Sequence, residues 1–275
     1  MHTSLVGTVK RAVYLARGRK PMSTGYGVYK ERCISEILAS GTFDPEHLGS
    51  RYGVRLDERV VEYPWLFGRL PPGPGRLLDA GSVLNFEALL TQPVLQAKRI
   101  FISTLAPEAP RQETRSNVSY VYEDLRETCY RDGYFDWVVC ISTLEHVGMD
   151  NTRFYTSDRD RNELNPDDYI GVVAELRRVL KPGGILYLSV PFGHHRNHGW
   201  LQVFDAAMVD RTIARFQPEA CIERHFRYER DGWRPSSRAA SRDATYFDYH
   251  AARRHDPDYA AAARAVVCLE LLKPT

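Results

Sequence analysis

The sequence predicts an α/β fold in which a mostly parallel sheet is covered by helices on both faces. Three observations predict it. Short apolar runs recur from Arg76 onward, amphipathic stretches alternate with them, and a Pro-Pro-Gly-Pro-Gly run at 71–75 cuts this half from a helical, loop-rich beginning. Strands that are apolar throughout, rather than at alternate positions, are what a sheet buried on both sides requires.

Residues 76–80 form the first predicted strand, 86–96 a helix and 99–104 a second strand, which together read as a βαβ unit. Further strands are expected at 118–122, 137–142 and 185–190, with a helix over 168–180 between the last two. Segments 220–228 and 265–272 bring the count to seven as an antiparallel pair at one edge, the final strand running against the rest. The polar stretches 148–168 and 229–264 read as insertions. Residues 1–70 read as a helical N-terminal cap and 71–275 as the main domain. Within the cap, Leu5, Val9, Ala12 and Ala16 share one helical face, with Lys10, Arg11, Arg17, Arg19 and Lys20 elsewhere. Such a stripe more often packs on its own domain than lies on anionic lipid, so burial is the expectation and peripheral membrane contact the alternative.

Composition narrows the function. The 275 residues are 43% hydrophobic and 26% charged with formal net charge +2, an ordinary globular balance that does not favour nucleic acid as a partner. Cys33, Cys129, Cys140, Cys221 and Cys268 are odd in number and far apart, without the C-x-x-C spacing of a zinc site, so reduced thiols in a cytoplasmic protein are expected. No apolar run is long enough to span a membrane.

In an open parallel sheet, ligands bind beyond the carboxyl ends of the strands, which directs attention to four strand ends. These are Leu77-Leu-Asp-Ala-Gly81, Tyr122-Glu-Asp-Leu125, Ser142-Thr-Leu-Glu-His146 and Ser189-Val-Pro-Phe-Gly193. Two longer motifs flank the last pair. Gly133-Tyr-Phe-Asp-Trp-Val-Val-Cys-Ile-Ser-Thr-Leu-Glu-His-Val147 places an aspartate before an apolar strand ending in Leu-Glu-His. Glu175-Leu-Arg-Arg-Val-Leu-Lys-Pro-Gly-Gly-Ile-Leu186 is a helix, a Lys-Pro-Gly-Gly turn and a strand. Both motifs, in order and about 30 residues apart, resemble the class I S-adenosylmethionine-dependent methyltransferases, from roughly Arg76 to Leu272.

The resemblance implies a Rossmann-like seven-stranded sheet, S-adenosylmethionine as cofactor and methyl transfer to a small-molecule acceptor. By it, Asp79, Ala80 and Gly81 approach the methionyl end of the cofactor, Asp124 accepts from the adenine amino group with Leu125 against the ring, and Ser142 lies at the same crevice. Asp79 and Asp124 also read, on their own, as turn or N-cap carboxylates. Two departures accompany the likeness. Gly81 is followed by the bulky Ser82-Val-Leu-Asn85 rather than further glycines, and the acid that usually holds the ribose is missing after the second strand, leaving Ser103, Thr104 or the later Glu108 as substitutes. For a hydroxyl acceptor a general base is expected, and His146, beside Glu145, occupies the place for it. Ser142 stands where metal-dependent relatives carry a glutamate, so no metal is expected. His194, His195 and His198 read as surface histidines.

The long connection 148–168, with Asp150, Asn151, Arg153, Tyr155, Arg159 and Asp167, is the expected acceptor loop, with Tyr26, Tyr29 and Trp200 as lesser candidates. Its mixed polarity suits a sugar or nucleotide-sugar hydroxyl. The alternative from another class is a catalytically inactive scaffold that keeps the fold alone. A nicotinamide-dependent oxidoreductase ranks last, because G-x-G-x-x-G is absent after the first strand.

Overall fold

A computed structural model describes residues 5–106, 115–156 and 158–275. Eight strands form one sheet: β1 (Gly75–Ala80), β2 (Lys98–Thr104), β3 (Val118–Tyr122), β4 (Phe135–Ile141), β5 (Leu180–Pro191), β6 (Ala220–Glu229), β7 (Gly232–Ser236) and β8 (Ala265–Leu272). Their order is β3-β2-β1-β4-β5-β8-β6-β7. The first five strands are mutually parallel, and β8 runs antiparallel to both β5 and β6. The winding reverses between β1 and β4, so the crevice this topology offers a ligand lies at the carboxyl ends of those two strands.

The expected count was one short. The eighth strand, β7, pairs antiparallel with β6 inside the stretch read as an insertion. Arg234 and Pro235 broke its apolar pattern, and a proline is tolerated there because β7 is an edge strand. The helix expected over 86–96 is two single turns, Glu87–Leu90 and Pro93–Gln96, because Pro93 cannot continue a helix from the preceding turn.

Side chains alternate across each strand. Leu77, Ile100, Ile102, Val139 and Ile141 enter one buried cluster, while Leu78, Ala80, Val138 and Cys140 enter another. Helices α4 (Tyr169–Val179) and α5 (Ala206–Phe216) cover the second face. The first face is covered largely from the N-terminal segment, by α1 (Leu5–Ala16), α2 (Tyr26–Ser40) and α3 (Arg59–Arg69). Trp65 of α3 is buried edge-on against Tyr187 of β5 at 6.0 Å, and the Tyr187 hydroxyl donates to the Arg69 carbonyl at 3.0 Å. The Pro-Gly turn ahead of β1 is tied down by Lys98, whose buried ammonium donates to the carbonyls of Pro71 (2.6 Å) and Gly73 (3.1 Å) and lies over the Trp137 ring.

The apolar stripe of α1 is not buried, against expectation. Leu5, Val9, Ala12 and Ala16 are all exposed, and the helix docks instead through Tyr14, which packs on Tyr26 and Tyr29 at 6.0 and 5.1 Å. The Tyr14 hydroxyl donates to the Arg19 carbonyl at 3.2 Å, which fixes that face inward. Among the described residues, no helix is long and apolar enough to cross a membrane.

Candidate active site

β1 ends in a turn organised by Asp79. Its fully buried carboxylate accepts from the backbone N–H groups of Val83 (3.0 Å) and Leu84 (2.8 Å). The bulk that replaces the usual glycines faces inward: Val83, Leu84 and Asn85 are buried, and Asn85 meets the Tyr120 hydroxyl at 3.0 Å. Gly81 has φ +111°, its N–H donates to the Ser103 carbonyl at 2.8 Å, and a Cβ there would stand 2.3 Å from Thr143 Oγ1. Glycine is thus demanded by the protein's own packing of the β1 loop against the β4 loop. Ala80 is buried within the sheet.

β4 ends at Ser142, a non-glycine residue at φ 40°, just as Ser82 at the end of β1 has φ 59°. Backbone held in this region clusters at functional sites. Ser142 Oγ and Ser189 Oγ both donate to Glu62 Oε1 at 2.7 Å, and Arg59 Nη1 donates to Glu62 Oε2 at 2.5 Å. Tyr63, next on α3, donates to the Val83 carbonyl at 2.8 Å. One turn of the N-terminal helix therefore fastens both strand-end loops.

After Ser142 a tight helical turn, Leu144–His146, sets Glu145 inward and His146 toward the crevice. His146 Nδ1 lies 2.9 Å from the Trp200 carbonyl, and the two rings pack at 5.2 Å. A carbonyl only accepts, so Nδ1 carries the proton and the neutral imidazole keeps its lone pair on Nε2. Glu145 is 2% exposed, its Oε1 stands 4.0 Å from His146 Nε2, and Oε2 has no hydrogen-bond partner among the described residues. Burial lifts its carboxyl well above the usual range.

Two cavities meet along this rim. The larger, about 410 Å³, is bounded by Lys30, Glu31 and Ile34 of α2, by Arg59 and Tyr63 of α3, and by Ser82, Phe86 and Ser142. The smaller, about 260 Å³, is bounded by Thr104, Leu105, Glu123, Asp124, Leu125, Asn151, Tyr155 and Glu163. Gly81, Thr143 and His146 line both.

Of the residues singled out in the sequence, Gly81, Thr104, Asp124, Leu125, Ser142 and His146 reach these cavities, whereas Asp79, Ala80, Ser103 and Glu145 line neither. Ser103 turns to the sheet's interior, donating to Glu123 Oε1 at 2.6 Å. Glu108 lies outside the described residues. Asp124 is clasped by Arg126, whose Nε sits 3.0 Å from both carboxylate oxygens and which also pairs with Glu163 and with Asp168. Burial works against the Asp124 charge, but the Arg126 hydrogen bonds outweigh it and hold the carboxyl below its ordinary range.

In the 148–168 connection, Asn151 and Tyr155 line the smaller cavity, whereas Asp150 caps Thr152 and Asp167 pairs with Arg211. Arg159 is exposed, and the Arg153 side chain is outside the described set. Tyr26 is committed to Asp57 (2.9 Å), and Trp200 to His146 and Asp248. His194, His195 and His198 line neither cavity.

Lys30, Glu31, Arg59, Tyr63 and Glu163 are among the cavity residues the sequence did not flag. A signal existed for α3: Glu62 lies among the apolar Val60, Val61, Trp65 and Leu66, and a carboxylate on such a face needs a buried partner.

The protein-family comparison matches residues 79–188 to a family described as "Methyltransferase domain". No curated protein matches the chain. Similar solved structures include the [4+2]-cyclase SpnF, 19% identical over 93% of this chain and 97% of its own, with TM-score 0.48. Another is a Burkholderia thailandensis 1,6-didemethyltoxoflavin-N1-methyltransferase, 16% identical over 98% of this chain and 89% of its own, with TM-score 0.45. The matched segment opens on Asp79 at the β1 turn, passes through Asp124 and the Glu145-His146 turn, and ends inside β5, so it carries the strand ends that build the crevice. Over residues 79–188, which carry the strand ends of the crevice, the chain is thus similar to the methyltransferase domain family.

Proposed function

We propose that this chain is an S-adenosylmethionine-dependent methyltransferase acting on a hydroxyl of a small polar molecule, of sugar or nucleotide-sugar type, seated in the larger cavity, with His146 as general base. The observation that carries the reading is the position of His146. It lines both cavities with Nδ1 engaged by the Trp200 carbonyl, so the basic Nε2 belongs to the side of the ring turned away from that anchor.

The smaller cavity fits the adenosyl group of the cofactor. Asp124 supplies an acceptor for an exocyclic amine, Leu125 and Leu105 supply apolar surface for a flat ring, and Thr104 and Glu123 supply polar groups for ribose hydroxyls where the customary acid is missing. Glu123 is steadied for that task by Ser103 and by the Cys129 N–H at 2.8 Å. When bound, S-adenosylmethionine supplies a methyl carbon on a positively charged sulfur, open to in-line displacement.

His146 takes the acceptor hydroxyl's proton on Nε2 as the new oxygen–carbon bond forms and the sulfur–carbon bond breaks. Proton removal by a positioned imidazole contributes about a hundredfold or more. Burial behind the ring disfavours the Glu145 charge, which weakens its hold on a proton at the imidazole. Acceptor recognition falls to Lys30, Glu31, Arg59 and Tyr63 around the larger cavity, rather than to the 148–168 connection, which faces the smaller one.

Two measurements test this. Calorimetry with S-adenosylmethionine and S-adenosylhomocysteine should show binding to the purified chain, and its absence would favour the inactive scaffold. A panel of sugars, nucleotide-sugars, phenols and amines is then followed by release of S-adenosylhomocysteine. Turnover confined to amines would remove the hydroxyl assignment.

A further inference from the structure

The outward face of α1 has the composition of an inward one. Leu5, Val9, Ala12 and Ala16 form a stripe opposite the buried Tyr14. Leu5 is 82% exposed, Val6 62% and Val9 56%. Single exposed apolar side chains are common and mean little. Here Leu5, Val6, Val9, Leu15 and Met22, five of the nine large hydrophobic side chains most exposed among the described residues, crowd into one short segment. A cluster of that kind marks a surface that meets something apolar.

Charge says what that something is. Residues 1–30 hold Lys10, Arg11, Arg17, Arg19, Lys20 and Lys30 and no aspartate or glutamate, so the segment carries +6. Because the whole chain carries +2, the remaining residues carry −4. Arg19 and Lys30 turn toward the fold, Arg19 donating to the Val54 carbonyl (3.1 Å) and Lys30 to Asp57 (2.6 Å) at the rim of the larger cavity. Lys10, Arg17 and Lys20 are exposed, Lys10 on α1 and Arg17 and Lys20 just beyond its last residue. A second copy of this chain would bring the same cations against their like, which disfavours self-association through this face. An apolar centre flanked by cations is the arrangement of a helix lying in a lipid interface.

We propose that α1 seats the protein on an anionic lipid surface, with Leu5, Val6 and Val9 in the acyl boundary and Lys10, Arg17 and Lys20 against the headgroup phosphates. The docking does not depend on what the acceptor is.

The test is co-sedimentation of the purified full chain with vesicles of phosphatidylcholine alone and of phosphatidylcholine mixed with phosphatidylglycerol. Binding should appear with the mixed vesicles only and weaken as salt screens the cations. The double substitution Leu5→Asp, Val9→Asp should abolish it. Lys10→Gln and Arg17→Gln should each weaken it about fivefold, the effect of one cation near such a surface. All four positions are exposed, so an unchanged circular dichroism spectrum and unchanged S-adenosylhomocysteine binding should accompany these losses. Failure to bind mixed vesicles, equal binding to both vesicle types, or binding that survives the aspartates would overturn the proposal. So would a dimer in sedimentation equilibrium that the aspartates dissolve, since the stripe would then be covered by a second copy.

Discussion

Glu62 and Ser142 stand 80 residues apart in the chain and meet at 2.7 Å, the serine hydroxyl donating to a carboxylate with no exposed surface. Glu62 belongs to α3 and Ser142 to the end of β4, so this bond joins the N-terminal helices to the rim where the two cavities meet. Ser189 and Arg59 converge on the same carboxylate, which makes it the point through which the helical segment sets the shape of the crevice.

Glu62→Ala should therefore cost more than one hydrogen bond. It strands the Arg59 guanidinium and two buried serine hydroxyls, and removing one partner of a buried ion pair destabilises by about 3–5 kcal/mol. Urea unfolding of the purified variant measures this, and a loss below about 1 kcal/mol would mean the cluster is dispensable. Glu62→Gln keeps the shape and one acceptor oxygen but replaces the other with an NH2 donor and loses the charge, so it should fall between.

His146→Ala should lower kcat about a hundredfold while leaving S-adenosylhomocysteine affinity unchanged, because the ring is assigned to proton removal. Trp200 donates its indole N–H to Asp248 at 3.0 Å and so holds the carbonyl segment that orients His146. Trp200→Phe should give a smaller loss of kcat. An undiminished rate in His146→Ala removes the histidine from the chemistry.

Asp124→Ala should weaken cofactor binding by about 1 kcal/mol or more, roughly fivefold in Kd, through the lost acceptor for the adenine amine. Arg126 complicates the reading, since it would lose one of its three carboxylate partners. Arg126→Met separates the two effects: it frees Asp124 while leaving the carboxylate in place. Calorimetry should then show weakened binding in Asp124→Ala and a smaller change in Arg126→Met. Equal losses would mean that the ion-pair network, rather than the carboxylate, shapes the cavity.

The strands of the parallel half were legible because each is a continuous apolar run ended by a polar or glycine turn, and β1 to β5 lie where those runs do. β7 was hidden because an edge strand can carry Arg234 and Pro235 without penalty. The strand-end residues of the crevice were legible through motif order, but not the direction of each side chain. Asp79 and Ser103 point into the protein because adjacent strand positions alternate in facing, and a one-residue difference decides between cavity and core. Arg59, Tyr63 and Lys30 could not be placed at all, since nothing local to α2 and α3 says which sheet face they cover. That contact is made by Trp65 on Tyr187, across more than a hundred residues.

Two buried acids make a last prediction about pH. Burial, with Asp57 and Glu62 nearby, pushes the Glu58 carboxyl up to about 7, and burial lifts Glu145 well above its ordinary value. In both, the folded state holds the proton more tightly than the unfolded chain, whose glutamates titrate near 4.3. Between those values the native state binds more protons, so stability falls as pH rises, from about 4.3 through about 7 for Glu58, with Glu145 acting in the same direction. Glu58→Gln should remove its share of that decline, leaving the variant more stable than the parent at pH 8, by on the order of 1–3 kcal/mol, and little different at pH 4. Thermal and urea unfolding across pH 4–8 checks the slope. A parent protein whose stability rises over this window, or a Glu58→Gln variant that is less stable at pH 8, would show that Glu58 is charged and satisfied in the folded state.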